Sequence, residues 1–460
     1  MPNENYFGLP DADSETKENI NLYHVPNEID KSVKALEKSD GKQIIVGIKG
    51  SGKTLLRRYI EESEDAIVFN LDSNHAYINI DASEIHESSG RLKNSLAFLL
   101  ISHFGNFIEK DSKLKKAGKH AWAYIKKIPS ALDIKTPVGD LDLKKILKPD
   151  LASVINSAWD DLTKEILDFL GEKKSYIMID DTEDVFNKLE VSPNFIEALA
   201  RAVKDINTFS KSKIHCLLFL KYGIWRCWYE NQKEYDKVAD KVGFLTWDYK
   251  SLCKIIAKRI AKINNLPFDN DNHQEEYYKD FWDFDFSWPN EQFDDFVKYI
   301  TSYCVSGPRD IIVLCNLCKL AAGSNKIERK HINSALSKYS EQKIYELNAD
   351  FGNIYKDIHH FIPQVFQGIS KEFVGKELAE WVNDHAFIES NVDDLYRNSE
   401  HQWYKYSSKE QIVLILYKIG FIGKKLDNGN IQYAIYKPTE SDLLCSKLVI
   451  HPAFHSYLRI

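Results

Sequence analysis

Gly47-Ile48-Lys49-Gly50-Ser51-Gly52-Lys53-Thr54 decides how this chain is read. It meets G-x-x-x-x-G-K-[ST] at every fixed position, follows an apolar run at residues 43–46 and precedes a helix-forming run at 55–62. A strand, a glycine-rich turn and a helix in that order build a phosphate-binding loop. The glycines let the backbone curl so that successive N–H groups face a β-phosphate, and the helix N-terminus adds partial positive charge. In this reading Gly47, Lys49, Gly50, Ser51, Gly52, Lys53 and Thr54 cradle the triphosphate. Lys53 reaches the β- and γ-phosphates, and the Thr54 hydroxyl ligates magnesium. ATP and Mg2+ are therefore the expected cofactors.

At 460 residues the chain is too long for one core, and two or three domains are expected. Hydrophobic content of 43% beside 28% charged residues reads as globular rather than disordered. A net charge of −7 excludes a globally cationic protein, so nucleic-acid binding would need a local patch. No window approaches the roughly 18 apolar residues of a membrane span. The N-terminal residues MPNENYFGLPDADSETKEN have no apolar core of the kind a signal peptide carries. The seven cysteines are scattered, which points to a reduced, cytoplasmic protein. Cys315 and Cys318, with Cys304 upstream and His331 downstream, could be drawn as a zinc site. They sit in the apolar run IIVLCNLCKLAA, however, and core packing is the better reading.

The order of elements argues for a parallel α/β sheet. A second strand is expected at 66–70, and a helix at 89–109 where Leu92, Leu96, Leu99, Leu100 and Phe104 recur at helical spacing. After a further helix at 151–170, Ser175-Tyr176-Ile177-Met178-Ile179-Asp180-Asp181 is an apolar run ending in carboxylates, the Walker B form. Asp180 is the expected magnesium ligand, since magnesium prefers hard oxygens. Asp181 stands where a water-activating carboxylate belongs, with Glu183 as the other candidate. Two more strands are expected, 214–220 and 242–247. If the first lies between the strands of the loop and of Asp180, Lys221 faces the γ-phosphate from the sheet's C-terminal edge. Residues Tyr23 to Pro26 are available to cover a base.

Two segments carry opposite charge. Residues 112–148 hold ten lysines against three aspartates, with Trp122 and Tyr124 interleaved, and look like an insertion into the nucleotide-binding core. Such a segment can contact nucleic acid or an acidic partner. Residues 268–296 carry ten carboxylates and one lysine among Phe281, Trp282, Phe284, Phe286 and Trp288. They read either as a loop anchored by its aromatics or as a partner for the lysine-rich arm.

Further on, Ser306-Gly307-Pro308-Arg309-Asp310 breaks between two helices, and Arg309 opens the second. An arginine there either caps a salt bridge or swings onto a γ-phosphate. In the last third, helices are expected at 354–366, 371–382 and 409–419. Two strand runs then flank Asp427-Asn428-Gly429-Asn430, a hairpin signal. Helices followed by a hairpin describe a winged helix, which serves either DNA binding or regulatory packing. The expected domains are 1–247 (nucleotide-binding α/β), 248–350 (helical lid) and 351–460 (winged-helix-like).

Taken in order, GIKGSGKT, YIMIDD and SGPRD resemble the AAA+ and STAND-type P-loop ATPases. The lid and C-terminal part look most like the origin-recognition and archaeal initiator branch, and like a bacterial P-loop ATPase family often found in defence-type operons. Phe219-Leu220-Lys221-Tyr222-Gly223-Ile224, Trp247, Gly307-Pro308-Arg309-Asp310, Ile419-Gly420-Phe421-Ile422-Gly423 and Ile450-His451-Pro452 carry that likeness. The resemblance implies an AAA+/ASCE-like P-loop fold and a nucleotide-dependent switch in bacterial stress or antiphage defence, acting through a protein partner or a second copy. It also implies Arg309 as a sensor of the γ-phosphate. Lys221 and Gly223 depart from the family's arginine and aspartate, and Asp181 replaces the glutamate of fast enzymes, so slow hydrolysis is expected. The alternatives are a DNA-binding initiator or loader, using its winged helix and lysine-rich insertion, and a pseudo-ATPase scaffold. Arg201, Arg226 and Arg259 are candidates for an arginine finger.

Overall fold

A computed structural model gives the structure. It describes residues 5–27, 29, 31, 41–63, 66–71, 89–110, 152–180, 193–210, 213–231, 235–268, 274–288, 291–305, 307–352, 354–386, 403–435 and 442–460. The lysine-rich segment 112–148, Asp181 and Glu183 lie outside the described residues. The chain divides into two compact units, Pro26–Ile48 with Lys53–Leu245, and Met1–Val25 with Lys49–Gly52 and Thr246–Ile460.

The first unit is built on five strands: β1 Ile44–Gly47, β2 Ile67–Leu71, β3 Ser175–Ile179, β4 Ile214–Lys221 and β5 Val242–Phe244. Every pairing is parallel and the order is β2-β3-β4-β1-β5. β1 and β3 are buried throughout, and β4 everywhere but at Lys221, as expected for strands covered on both faces. Helices Lys53–Ser63, Ser89–Lys110, Ala152–Leu170, Pro193–Phe209 and Tyr222–Asn231 fall between successive strands, the second and third of them both between β2 and β3. Pro193–Phe209 buries Ala198, Leu199, Ala202, Val203 and Ile206. Asn207 pins it to β4, accepting from the Cys216 N–H at 3.0 Å and donating to the Cys216 carbonyl at 2.8 Å. β5 stops at Phe244, short of the expected Trp247, because its ladder matches only Ile44–Val46 of β1.

The second unit is helical, followed by a small sheet. Its core gathers Phe7, Ile256, Tyr278, Trp282, Trp288, Phe296, Cys315, Cys318 and Tyr339 from segments far apart in sequence. Thus the acidic segment anchors itself through Phe281, Trp282 and Trp288, all buried. The long helices are Tyr249–Ile263, Pro308–Ala322 and Arg329–Phe351. The Asp248 carboxylate caps the first, accepting from the Ser251 N–H at 2.8 Å.

Four antiparallel strands follow: β6 Glu372–Val374, β7 Ile422–Lys425, β8 Ile431–Gln432 and β9 Lys447–Ile450, in the order β6-β9-β7-β8. Two expectations are corrected here. The helix expected at 371–382 begins only at Gly375, because Glu372–Val374 pair with β9. The second hairpin strand ends at Gln432, since it pairs only with Lys424 and Lys425 and the Tyr433 ring turns to His451, 4.6 Å away. Gly429 holds a φ of +84° in the hairpin turn, where glycine is favoured.

Candidate functional site

On the sheet side, β1 ends at Gly47, whose neighbour in register across the β1–β4 ladder is Lys221. β4 lies between β1 and β3, so the condition attached to Lys221 is met. Helix Lys53–Ser63 begins at the loop lysine. The Lys53 ammonium folds back on the loop, donating to the carbonyls of Gly47 at 2.8 Å and Ile48 at 3.1 Å. Thr54 follows it, partly buried.

Asp180 comes directly after β3 and is 5% exposed. Its N–H donates to the Leu71 carbonyl at 3.0 Å, carrying the β2–β3 alignment one step beyond the strands. Its Oδ2 accepts from Arg57 Nε at 3.2 Å. Sequence reading missed Arg57. Its signal is spacing: four residues after Lys53 on the same helix, it shares that lysine's face.

The loop tip Lys49–Gly52 belongs to the second unit. Gly50 and Gly52 hold φ values of +82° and +97°, which only glycine adopts without strain. The Gly50 carbonyl accepts from the Arg309 N–H at 3.3 Å, and the Ser51 carbonyl accepts from Trp247 Nε1 at 2.7 Å. Gly307 is fixed beside that indole. Its φ is +107°, and a Cβ there would lie 2.7 Å from Trp247 Cδ1. Ser51 is fully buried, yet its hydroxyl finds no hydrogen-bond partner. Leaving such a group unsatisfied costs about 1–3 kcal/mol. Lys49, by contrast, is exposed.

The Arg309 side chain turns to the N-terminal segment. Its NH2 group lies 3.8 Å from Asp11 Oδ1, and Nε donates to the Pro10 carbonyl at 3.5 Å. Next to it, Asp310 is 1% exposed and accepts from the Val305 N–H at 2.7 Å and from Lys343 Nζ at 2.8 Å. Lys343 also pairs with Glu346. Burial works against the Lys343 ammonium, but Asp310 and Glu346 outweigh it and hold its pKa above the ordinary lysine value.

The remaining candidates are engaged elsewhere. The Tyr23 ring lies under the Arg259 guanidinium at 4.1 Å, and the His24 carbonyl accepts from Lys258 at 2.6 Å. Arg259, 4% exposed, donates to the Phe7 carbonyl at 2.7 Å and meets Glu15 at 3.4 Å. Arg226 binds Tyr222 and Glu230, and Arg201 binds Glu197. Cys315 and Cys318 are buried free thiols, and burial pushes both pKa values up. Among the described residues, no three or more His, Cys, Asp or Glu side chains gather as a metal cluster, and no helix is long and apolar enough to cross a membrane.

Residues 250–348 match the FunZ-associated C-terminal helical domain. That segment runs from the helix bearing Arg259 through Arg309 and Asp310 to Lys343. No curated protein and no solved structure matches the chain.

Proposed function

We propose that the chain binds ATP with Mg2+ and acts as a nucleotide-dependent molecular switch of the P-loop NTPase (AAA+/ASCE-like) type. The observation that carries this reading is the loop after β1. Its two glycines hold left-handed conformations, and its buried Ser51 hydroxyl has no protein partner. A phosphate oxygen would satisfy that hydroxyl and draw the Lys53 ammonium off the Gly47 and Ile48 carbonyls. Thr54 and Asp180 would hold magnesium, the hydroxyl and carboxylate being the hard oxygen donors it prefers. The ion would supply charge neutralisation to the β- and γ-phosphate oxygens. Lys221, level with Gly47 at the sheet edge, adds a cation for the γ-phosphate.

The order of motifs supports a setting in bacterial stress or antiphage defence, with output to a protein partner or a second copy. The helices from Ile358 onward and the four-stranded sheet that begins at Glu372 support a winged-helix-like C-terminal module.

A second reading, a pseudo-ATPase scaffold that holds ATP without turning it over, is favoured by the Arg57–Asp180 pair. There a cation of the protein already neutralises the carboxylate that magnesium needs.

Titration with a fluorescent ATP analogue tests the reading. Lys53→Ala should weaken binding at least a hundredfold, about 2.7 kcal/mol. Binding at wild-type affinity by that variant overturns it. Phosphate release and mass measured with and without DNA then separate a switch, a scaffold and a DNA loader.

A further inference from the structure

The buried charges beside Arg309 form a continuous path from the loop tip to the C-terminal sheet. The Gly50 carbonyl is bound by the N–H of Arg309, and the next residue, Asp310, is bound by Lys343 on helix Arg329–Phe351. Helix Arg329–Phe351, which carries Lys343, packs against the turn Pro452–Phe454, and His451, 3% exposed, stands between that turn and β9. Its own N–H donates to the Phe421 carbonyl at 2.9 Å, next to β7. The same long helix takes the chain's end, since the Tyr457 N–H donates to Ser340 Oγ at 3.0 Å.

Asp310 accepts from Val305 with one oxygen and from Lys343 with the other, in the same first helical turn as the Arg309 that meets Gly50. An apolar pair would hold the helices together as well as buried charges do; what charges add is one required geometry. A buried, fully bonded network has discrete arrangements rather than a continuum, which is what a coupling element requires.

We propose that the Asp310–Lys343 pair, with His451 beside it, is the joint through which the loop tip Lys49–Gly52 and the C-terminal four-stranded sheet change state together. The occupant of the loop rests on the ATP reading above; the joint does not.

Hydrogen exchange on the full chain tests it, read in peptides covering 303–311 and 447–454. Without nucleotide, Lys343→Met strands a buried carboxylate and should speed exchange at least tenfold in both peptides together. The double variant Asp310→Asn with Lys343→Met keeps an acceptor for Val305, removes both charges, and should restore slow exchange at both. With ATP and Mg2+, wild type should change exchange at 447–454. The double variant should protect 49–54 equally while leaving 447–454 unmoved. Opening at one end only in Lys343→Met overturns the joint, as does a full response at 447–454 in the double variant. Paired opening in Lys343→Met, together with no ATP binding by wild type, supports the joint and counts against the nucleotide reading instead.

Discussion

Arg57 holds Asp180: Nε stands 3.2 Å from Oδ2, with the two side chains 13% and 5% exposed. The contact joins the helix after the phosphate loop to the end of β3, and it places a guanidinium on the carboxylate proposed to bind magnesium. On that proposal Arg57 and Mg2+ would compete for one group.

Replacing Arg57 by Gln should lower stability without metal by roughly 1.5–3 kcal/mol, because a nearly buried carboxylate loses a hydrogen bond from a cation. It should also strengthen Mg2+ dependence. The melting-temperature gain on adding Mg2+ and ATP should be larger in the variant than in wild type, as a thermal melt with and without both would show. An equal gain would mean that Asp180 is not the metal's ligand.

Ser51→Ala separates stability from binding. The buried hydroxyl has no partner, so its loss should be neutral or stabilising by up to about 1 kcal/mol in the nucleotide-free protein. ATP binding should weaken severalfold. Chemical denaturation and analogue titration on one preparation read both signs; a destabilised variant with unchanged affinity would contradict the phosphate role.

Phe7 fastens the N-terminal segment. It is fully buried, with ring centroids 5.4 Å from Phe281 and 5.6 Å from Trp282, and its N–H donates to Asn316 Oδ1 at 2.7 Å. Phe7→Ala should cost roughly 3–5 kcal/mol in the helical unit. Limited proteolysis should then cut within the first 25 residues faster than in wild type, and it should release the Arg309 contacts to Pro10 and Asp11.

His451 sets an acid limit. Burial first, eased by Asp310, brings its pKa from 6.5 to about 3. Between those values the unfolded chain takes up a proton that the folded chain refuses. Stability from neutral His451 is thus full above about pH 6.5 and is lost as pH falls toward 3. Lys343 has the opposite sign: its pKa is raised, so its contribution is full below 10.5 and is lost only in stronger alkali. Denaturation midpoints should fall between pH 6 and 4, and His451→Gln should flatten that slope.

Much of the sheet is legible in the residues. β1, β3 and β4 are short apolar runs because both faces are covered, and their lengths come within two residues of expectation. The loop is legible because Gly50 and Gly52 need conformations that other residues resist. β6 and β9 escaped notice. β6 is only three residues long, Glu372-Phe373-Val374, too short for a period-two pattern to register in the sequence. β9 is four residues long, too short an apolar run to separate from a helix segment by periodicity. Arg57 was missed because its partner lies 123 positions away.

By itself the sequence determined the local features: a strand–loop–helix that suits a phosphate, an apolar run ending in Asp180, and a helix opening at Arg309. Each depends on backbone preference and periodicity within a few residues. Only the tertiary structure decided what those groups face. It set Lys221 level with Gly47, gave Asp180 to Arg57, left the Ser51 hydroxyl without a partner and closed Asp310 on Lys343. The partner of a buried charge depends on which strand ends and helix faces converge, and no local pattern encodes that convergence.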